Sequence, residues 1–266
     1  PMAPAPAGDR RPPPRGRLLT PMGMKVVILA GGLGSRLWEE TTRRPKPLVT
    51  IAGRPILWHV MMSYATAGFR DFVVATGYMG ELIERYFANL QAGVAPGAEE
   101  ARDWRVSVVD TGPQTSTGGR IRRLGHLLDR DTFMLAWSDG LANVDPRTAL
   151  AFHRAHGRLA TITAVHPPPR FGRLALDGDL VTGYMEKPVD HSDWISGGLF
   201  VLEPQVLGYI SGDHTEWERE PLDRLTRENQ IMAFRHEGFW QCMDTAADRD
   251  RLETLWRSGG APWRTW

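Results

Sequence analysis

Cysteine is nearly absent: Cys242 is the only one in 266 residues. That excludes an internal disulfide framework and a cysteine metal cluster, and it fits a reducing compartment. Charge of one sign is also missing, since 32 Lys and Arg stand against 31 Asp and Glu for a formal net charge of +1. No whole-protein field therefore draws the chain to nucleic acid or an anionic membrane, and any anion it binds must be held by a local site. No apolar run approaches the roughly 20 residues of a membrane span, and the N-terminus lacks the hydrophobic core of a signal peptide. The expectation is a soluble, cytoplasmic protein with neither a nucleic-acid nor a membrane partner. At 42% hydrophobic and 24% charged residues, the chain is long enough to bury a large core.

What is present divides into a tail and a body. Residues 1–23, "PMAPAPAGDRRPPPRGRLLTPMG", combine proline, glycine and arginine with few large apolar groups. Such a segment cannot offset its ordering entropy by burial, which predicts a disordered N-terminal extension. From Met24 to Trp266 a single domain is expected. Short β-branched or apolar runs, "MKVVILA", "DFVVATG", "VSVVD", "FMLAWSD" and "ATITAV", alternate with helical patterns such as "PILWHVMMSYATAG", "GELIERYFANL" and "DPRTALAFHRAHG". Strands alternating with helices predict an α/β fold whose mixed, mainly parallel, Rossmann-like sheet carries helices on both faces. The later pieces "RLALDGDLVTGYMEKP" and "SGGLFVLE" read as a β-meander forming a smaller β-rich lobe, and "TAADRDRLETLWRSG" as a closing helix.

The segment "VVILAGGLGSRLWEETTRRPKPLV", Val26 to Val49, carries the first chemistry. In an open α/β sheet, ligands sit outside the carboxyl ends of the strands, where a glycine loop lets backbone N–H groups approach a phosphate. This loop is not the dinucleotide fingerprint, because the third glycine of G-x-G-x-x-G falls on Leu37 when counting starts at Gly32. Nor is it a P-loop, because no Gly-Lys-Ser/Thr ends it. Instead Arg36 lies beside the loop, and Lys46 sits between two stiffening prolines. Two fixed cations facing a glycine cradle suit a triphosphate whose charge grows during phosphoryl or nucleotidyl transfer. A surface turn with solvated charges is the plainer alternative.

"VILAGGLGSRL" followed by "RPKPLV" resembles the N-terminal signature of the sugar-1-phosphate nucleotidyltransferases. Further pieces, "VDTGPQTSTGGRIRR", "AFHRAHG", "PPPRFG", "EKP", "GGLFVLEP", "WEREPL" and "GFWQCMDT", are similar in order to the cytidylyl-transferring members, over essentially Met24 to Trp266. The resemblance implies transfer of a cytidylyl group from CTP to a sugar 1-phosphate, releasing pyrophosphate, by a homo-oligomer that uses Mg²⁺. It implies that Asp139 and Asp244 hold the metal, hard oxygen ligands that magnesium prefers. It places Arg36, Lys46 and Lys187 on the phosphates. Leu29, Gly31, Gly32, Gly34 and Ser35, with Thr117, Gly118, Gly119 and Arg120, fall on the nucleotide. Ser138, Gly172, Glu186, Ser196, Gly197 and Gly198 fall on the sugar. Taken singly, Asp139 and Asp244 also read as turn or cap residues, and Gly118–Gly119 as a plain helix entry.

No protein nucleophile is required, because the sugar phosphate itself attacks the α-phosphorus, so catalysis is positioning and charge compensation. Cys242 reads as a small buried hydrophobe. His153, His156 and His166 lack the i, i+4 pairing of a zinc helix. Two departures from the family pattern fall in the sugar half: Trp137-Ser138-Asp139-Gly140 where Gly-Asp-Gly follows a tyrosine, and Ser196-Gly197-Gly198 where Asn-Gly-Gly is usual. Serine offers one short hydroxyl where asparagine offers an acceptor and two donors at longer reach. These departures leave open a modified acceptor, another NTP, or a nucleotide-binding homologue with little turnover. A Rossmann-type oxidoreductase is the remaining alternative, and the missing third glycine counts against it.

Overall fold

The chain runs from β1 (Lys25–Leu29) through α1 (Trp38–Thr41), β2 (Thr50–Ile51), β3 (Arg54–Pro55) and α2 (Ile56–Thr66) to β4 (Asp71–Thr76) and α3 (Gly80–Gln91). Then come β5 (Arg105–Asp110), α4 (Thr117–Arg123), α5 (Gly125–Leu128), β6 (Phe133–Trp137), β7 (Gly140–Ala142), α6 (Pro146–His156) and β8 (Ala160–Val165). The hairpin β9 (Arg173–Asp177) and β10 (Leu180–Met185) precedes β11 (Ile195–Leu202), α7 (Glu220–Arg227), β12 (Ile231–His236), β13 (Trp240–Cys242) and α8 (Ala246–Arg257). This computed structural model describes residues 23–168, 173–185 and 193–266, without the side chains of Arg36, Trp38 and Arg173. The expected extension, apart from Gly23, lies outside the described residues, as do Gly172, Glu186 and Lys187.

Seven strands form one sheet in the order β12-β8-β11-β6-β1-β4-β5. β1 is parallel to β4 and β6, β4 to β5, and β8 to β12, whereas β11 is antiparallel to both of its neighbours. The sheet is therefore mixed and mainly parallel. The period-2 alternation of a strand sends neighbouring side chains to opposite faces. Val26 and Ile28 join one buried cluster with Trp58 and Met61 of α2, Ile83 of α3 and Leu252 of α8. Val27 and Leu29 join the other with Ile121 of α4, Leu225 of α7 and Trp217. Because both faces are covered, β1 reads as a continuous apolar run.

Helix α6 shows how local signals set an element. Asp145 caps it by accepting the Arg147 backbone N–H, Pro146 opens it with a preset φ, and Gly157 closes it at φ 63°.

One expectation needs correction. "SGGLFVLE" does not belong to a β-meander: it forms β11, the antiparallel member of the main sheet between β6 and β8. Its two faces are both apolar, with Phe200 and Leu202 in one cluster and Leu199 and Val201 packed with the other, as a central strand requires. The hairpin β9–β10 and the ladder β7–β13 form separate two-stranded sheets.

The C-terminal end closes the core with aromatic rings. His59 of α2 is fully buried against Trp58, Trp256, Trp263 and Trp266, with Nε2 against the Ile51 carbonyl at 2.9 Å. Burial pushes its pKa down from 6.5 to about 4. The unfolded chain therefore takes up a proton as pH falls below about 6.5 while the native state resists it until about 4, so stability is lost on acidification across that window. Between pH 7 and pH 5 this amounts to about 2 kcal/mol. In His59→Leu, the difference between urea-unfolding free energies at the two pH values should shrink by that amount; an unchanged difference would contradict this assignment.

Candidate active site

The strand order reverses at β1: the chain moves outward through β4 and β5, then returns to place β6 on the other side of β1. Such a switch point opens a crevice beyond the carboxyl ends of the strands. Here it is a cavity of about 600 Å³ lined by Leu29, Gly31, Gly32, Gly34, Ser35, Lys46, Thr117, Arg120, Ser138 and Asp139. Ten of the residues named from the sequence thus line one cavity. Glu216 and Glu218, which that reading did not single out, also line it, Glu218 beside Thr117. The fragment "WEREPL" contains Glu218, and Glu216 immediately precedes it.

Lys46 opens a short 3₁₀ turn (Lys46–Leu48) preceded by Pro45 and containing Pro47. Its Nζ donates to Asp139 Oδ2 at 2.6 Å and to Asp244 Oδ1 at 2.7 Å. Burial pulls the Lys46 pKa down, but the attraction and hydrogen bonds of the two carboxylates outweigh it and hold the ammonium above its ordinary range. Asp139 follows the end of β6, and Asp244 follows β13. The β7–β13 ladder, pairing Gly140 with Cys242, and a 2.9 Å bond from the Met243 N–H to the Asp139 carbonyl bring the two aspartates together.

Two carboxylates from different strands therefore already converge on one cation, the ammonium. Their hard oxygens suit Mg²⁺, with further ligands to come from phosphate oxygens and water. Among the described residues no group of three or more His, Cys, Asp or Glu side chains could hold a metal by itself. The histidines have other partners: His153 meets Thr161 and Glu203, His156 meets Thr161, and His166 meets Glu237.

Arg120 lies at the cavity wall but is only 4% exposed. Its Nη1 donates to the Thr76 carbonyl, Thr111 Oγ1 and the Gly112 carbonyl at 2.7, 2.7 and 2.9 Å, and its Nη2 to the Gly31 carbonyl at 2.9 Å. One guanidinium thus ties together the segments following β1, β4 and β5. Gly31 must be glycine for this, since a Cβ there would lie 2.2 Å from Arg120 Cζ. The helix α4 that carries Arg120 begins at Thr117, whose Oγ1 donates to Glu218 Oε2 at 2.5 Å and accepts the Trp217 N–H at 2.9 Å. The turn segment 213–215 lies against the same helix end, and a Cβ on Gly119 would meet the Asp213 carbonyl at 2.3 Å. Close backbone approach accounts for Gly118 and Gly119.

Ser196, Gly197 and Gly198 do not line the cavity but flank it. Gly198 packs beside the Trp137 ring, and the Gly197 carbonyl accepts the Trp240 indole N–H at 2.8 Å. Ser196 Oγ accepts the Gly198 N–H at 3.2 Å, so the hydroxyl oxygen shapes its own loop. Cys242 is half-buried, and burial followed by the nearby Asp244 and Asp139 charges pushes its thiol up to about 12. Protonated at neutral pH, it is no nucleophile.

Residues 25–256 match the nucleotidyl transferase family. The chain belongs to that family, whose members are enzymes. It is 46% identical over 256 residues to the glucose-1-phosphate cytidylyltransferase of Salmonella typhi, which covers 91% of this chain and 100% of that one. It is 32% identical over 236 residues to the mannose-1-phosphate guanylyltransferase catalytic subunit beta of Danio rerio, covering 86% of this chain and 63% of the relative. Among solved structures, a UDP-glucose pyrophosphorylase complexed with UDP-glucose superposes with a TM-score of 0.69 at 15% identity, covering 89% of this chain and 99% of that one. That likeness concerns the fold alone.

Proposed function

We propose that the chain transfers the cytidylyl group of CTP to a sugar 1-phosphate, glucose 1-phosphate or a modified relative, giving a CDP-sugar and pyrophosphate. The observation that carries this reading is the Asp139–Lys46–Asp244 cluster at a glycine-loop cavity, in a chain nearly half identical to a cytidylyltransferase over that relative's whole length. A phosphate oxygen of the acceptor attacks the α-phosphorus of CTP while the bond to the β-phosphate bridging oxygen breaks, and pyrophosphate carries off the electron pair. The barrier is the mutual repulsion of two anions and the charge growing on the leaving group.

Lys46 lowers that repulsion, its ammonium held at the cavity by a turn that two prolines stiffen. The glycine loop, braced by Arg120, presents backbone to the triphosphate. Asp139 and Asp244 would hold Mg²⁺, which when bound supplies charge compensation at the phosphates. Arg36 on the leaving phosphates, with Glu186 and Lys187 on the acceptor side, completes the assignment. The exposed apolar side chains Leu174, Leu176, Leu180, Val181, Tyr184 and Met185 of the β9–β10 hairpin support a homo-oligomer. The single cysteine supports a reducing, cytoplasmic setting.

Ser196 bears on the acceptor. A sugar hydroxyl whose partner is lost costs about 1 to 3 kcal/mol, or roughly tenfold or more in kcat/KM. Glucose 1-phosphate should be accepted, and a deoxy, amino or otherwise altered sugar 1-phosphate, or a cyclitol phosphate, should be the better substrate. Pyrophosphate release with each NTP and a mixed acceptor panel, on wild type and Ser196→Asn, tests both parts. A clear preference for UTP or dTTP over CTP would overturn the base assignment. If glucose 1-phosphate wins for wild type and Ser196→Asn changes nothing, the acceptor argument fails. CTP binding with no acceptor consumed would point to a nucleotide-binding homologue instead.

A further inference from the structure

We infer that Asp248 is a positioning residue for the Asp244 carboxylate, holding it in the geometry that lets it share a cation with Asp139; this rests on the magnesium reading above. Asp248 is the third residue of α8, and with Thr245 it forms a capping box. A capping box needs its carboxylate to accept only the N–H of the cap residue itself. Asp248 does more. Its Oδ2 accepts the Thr245 N–H at 2.9 Å and the Thr245 hydroxyl at 2.8 Å, and also the backbone N–H of Asp244 at 3.1 Å. Its Oδ1 accepts the Gln241 side-chain amide at 3.0 Å.

Gln241 is 2% exposed and lies in β13, paired with Leu141 of β7. One carboxylate therefore grips the chain on both sides of the turn that carries Asp244: the strand before it and the backbone of the residue itself. Through Gln241 that grip reaches the ladder to β7, and so Asp139. The Gln241 amide also donates to the Cys242 carbonyl at 2.8 Å, fixing the link between the two anchors. Groups that hold a metal ligand in place without touching the ion typically change its affinity by roughly 10- to 100-fold.

The test reads metal binding apart from turnover. Mn²⁺ is titrated into the nucleotide-free protein and free Mn²⁺ followed by electron paramagnetic resonance, on wild type, Asp139→Asn, Asp248→Ala, Asp248→Asn and Asp145→Ala. Lys46 faces both aspartates, and so competes alike, in wild type and in the Asp248 and Asp145 variants. Asp248→Ala should bind Mn²⁺ roughly 10- to 100-fold more weakly, while Asp248→Asn, which keeps one oxygen to accept the backbone N–H groups, recovers part of the loss. Asp145→Ala removes the cap of α6 and reports what a lost helix cap alone does; it should keep the wild-type affinity. If Asp248→Ala does not fold, Asp248→Asn carries the comparison. Wild-type affinity in the Asp248 variants, or an equal loss in Asp145→Ala, would overturn the inference while leaving the metal reading intact. If wild type and Asp139→Asn bind alike, the metal reading falls and this inference with it.

Discussion

Replacing either Asp139 or Asp244 by asparagine should lower kcat by roughly two or more orders of magnitude, because electrostatic compensation is usually the largest catalytic contribution. Asparagine keeps the shape but removes the charge. Lys46 would lose one of the two carboxylates it now bridges at 2.6 and 2.7 Å, and a divalent cation would lose one of its two anionic protein ligands. Stability should move in the other direction or not at all, since each substitution leaves one lysine facing one carboxylate. Steady-state pyrophosphate release paired with a melting curve separates the two effects. A variant within tenfold of wild-type kcat, or full wild-type turnover in excess EDTA, would remove the metal from the mechanism.

Arg120→Met should strike both stability and nucleotide binding. The guanidinium serves three carbonyls, two of them buried, and one hydroxyl, and a methionine side chain offers none of them a donor. Some partners remain: the Thr76 carbonyl keeps the Thr111 N–H and hydroxyl, and the Gly31 carbonyl keeps the Tyr78 N–H at 3.3 Å. The loss is therefore of order 3 kcal/mol, less than a sum over every contact would suggest. Because Arg120 joins the Gly31 carbonyl to the ends of β4 and β5, KM for CTP should rise by about tenfold or more even where the variant is fully folded. Arg120→Lys, with one charged centre in place of a planar fork, should recover only part of either effect. Wild-type melting and an unchanged KM for CTP in Arg120→Met would show that the brace is dispensable.

The parts of this molecule that the sequence reveals are those whose signals are local. Val26–Leu29 is legible as a strand because four apolar residues in a row suit a sheet covered on both faces. The α6 boundaries are legible from Asp145, Pro146 and Gly157. β11 is not, because its opening Ser196-Gly197-Gly198 resembles a turn in a meander, and only the strands on either side of it reveal its place in the main sheet.

The site divides the same way. The glycine loop and Lys46 lie within one short stretch and can be read together. The meeting of Asp139 with Asp244 rests on a ladder of three residue pairs between segments with no distinctive pattern, so only resemblance suggested it. Asp248 lies in the closing-helix run "TAADRDRLETLWRSG", where nothing local marks it as more than a helix-start residue. Gly118 and Gly119 have two readings in sequence, and the crossing segment 213–215 supplies the deciding fact, which no spacing contains.

An ammonium lodged between two aspartates also changes what removing the metal means. Two like charges about 4 Å apart repel by about 4 kcal/mol at an effective dielectric near 20, and a carboxylate pair without a counter-charge would press its two strands apart whenever the divalent ion left. With Lys46 in place half of the pair's charge is compensated from within, by a residue on a proline-stiffened turn. The fold therefore has a cation of its own, the Lys46 ammonium, to hold these two strand ends together. A divalent ion bound there as proposed would come and go without requiring the sheet edge that frames the site to move.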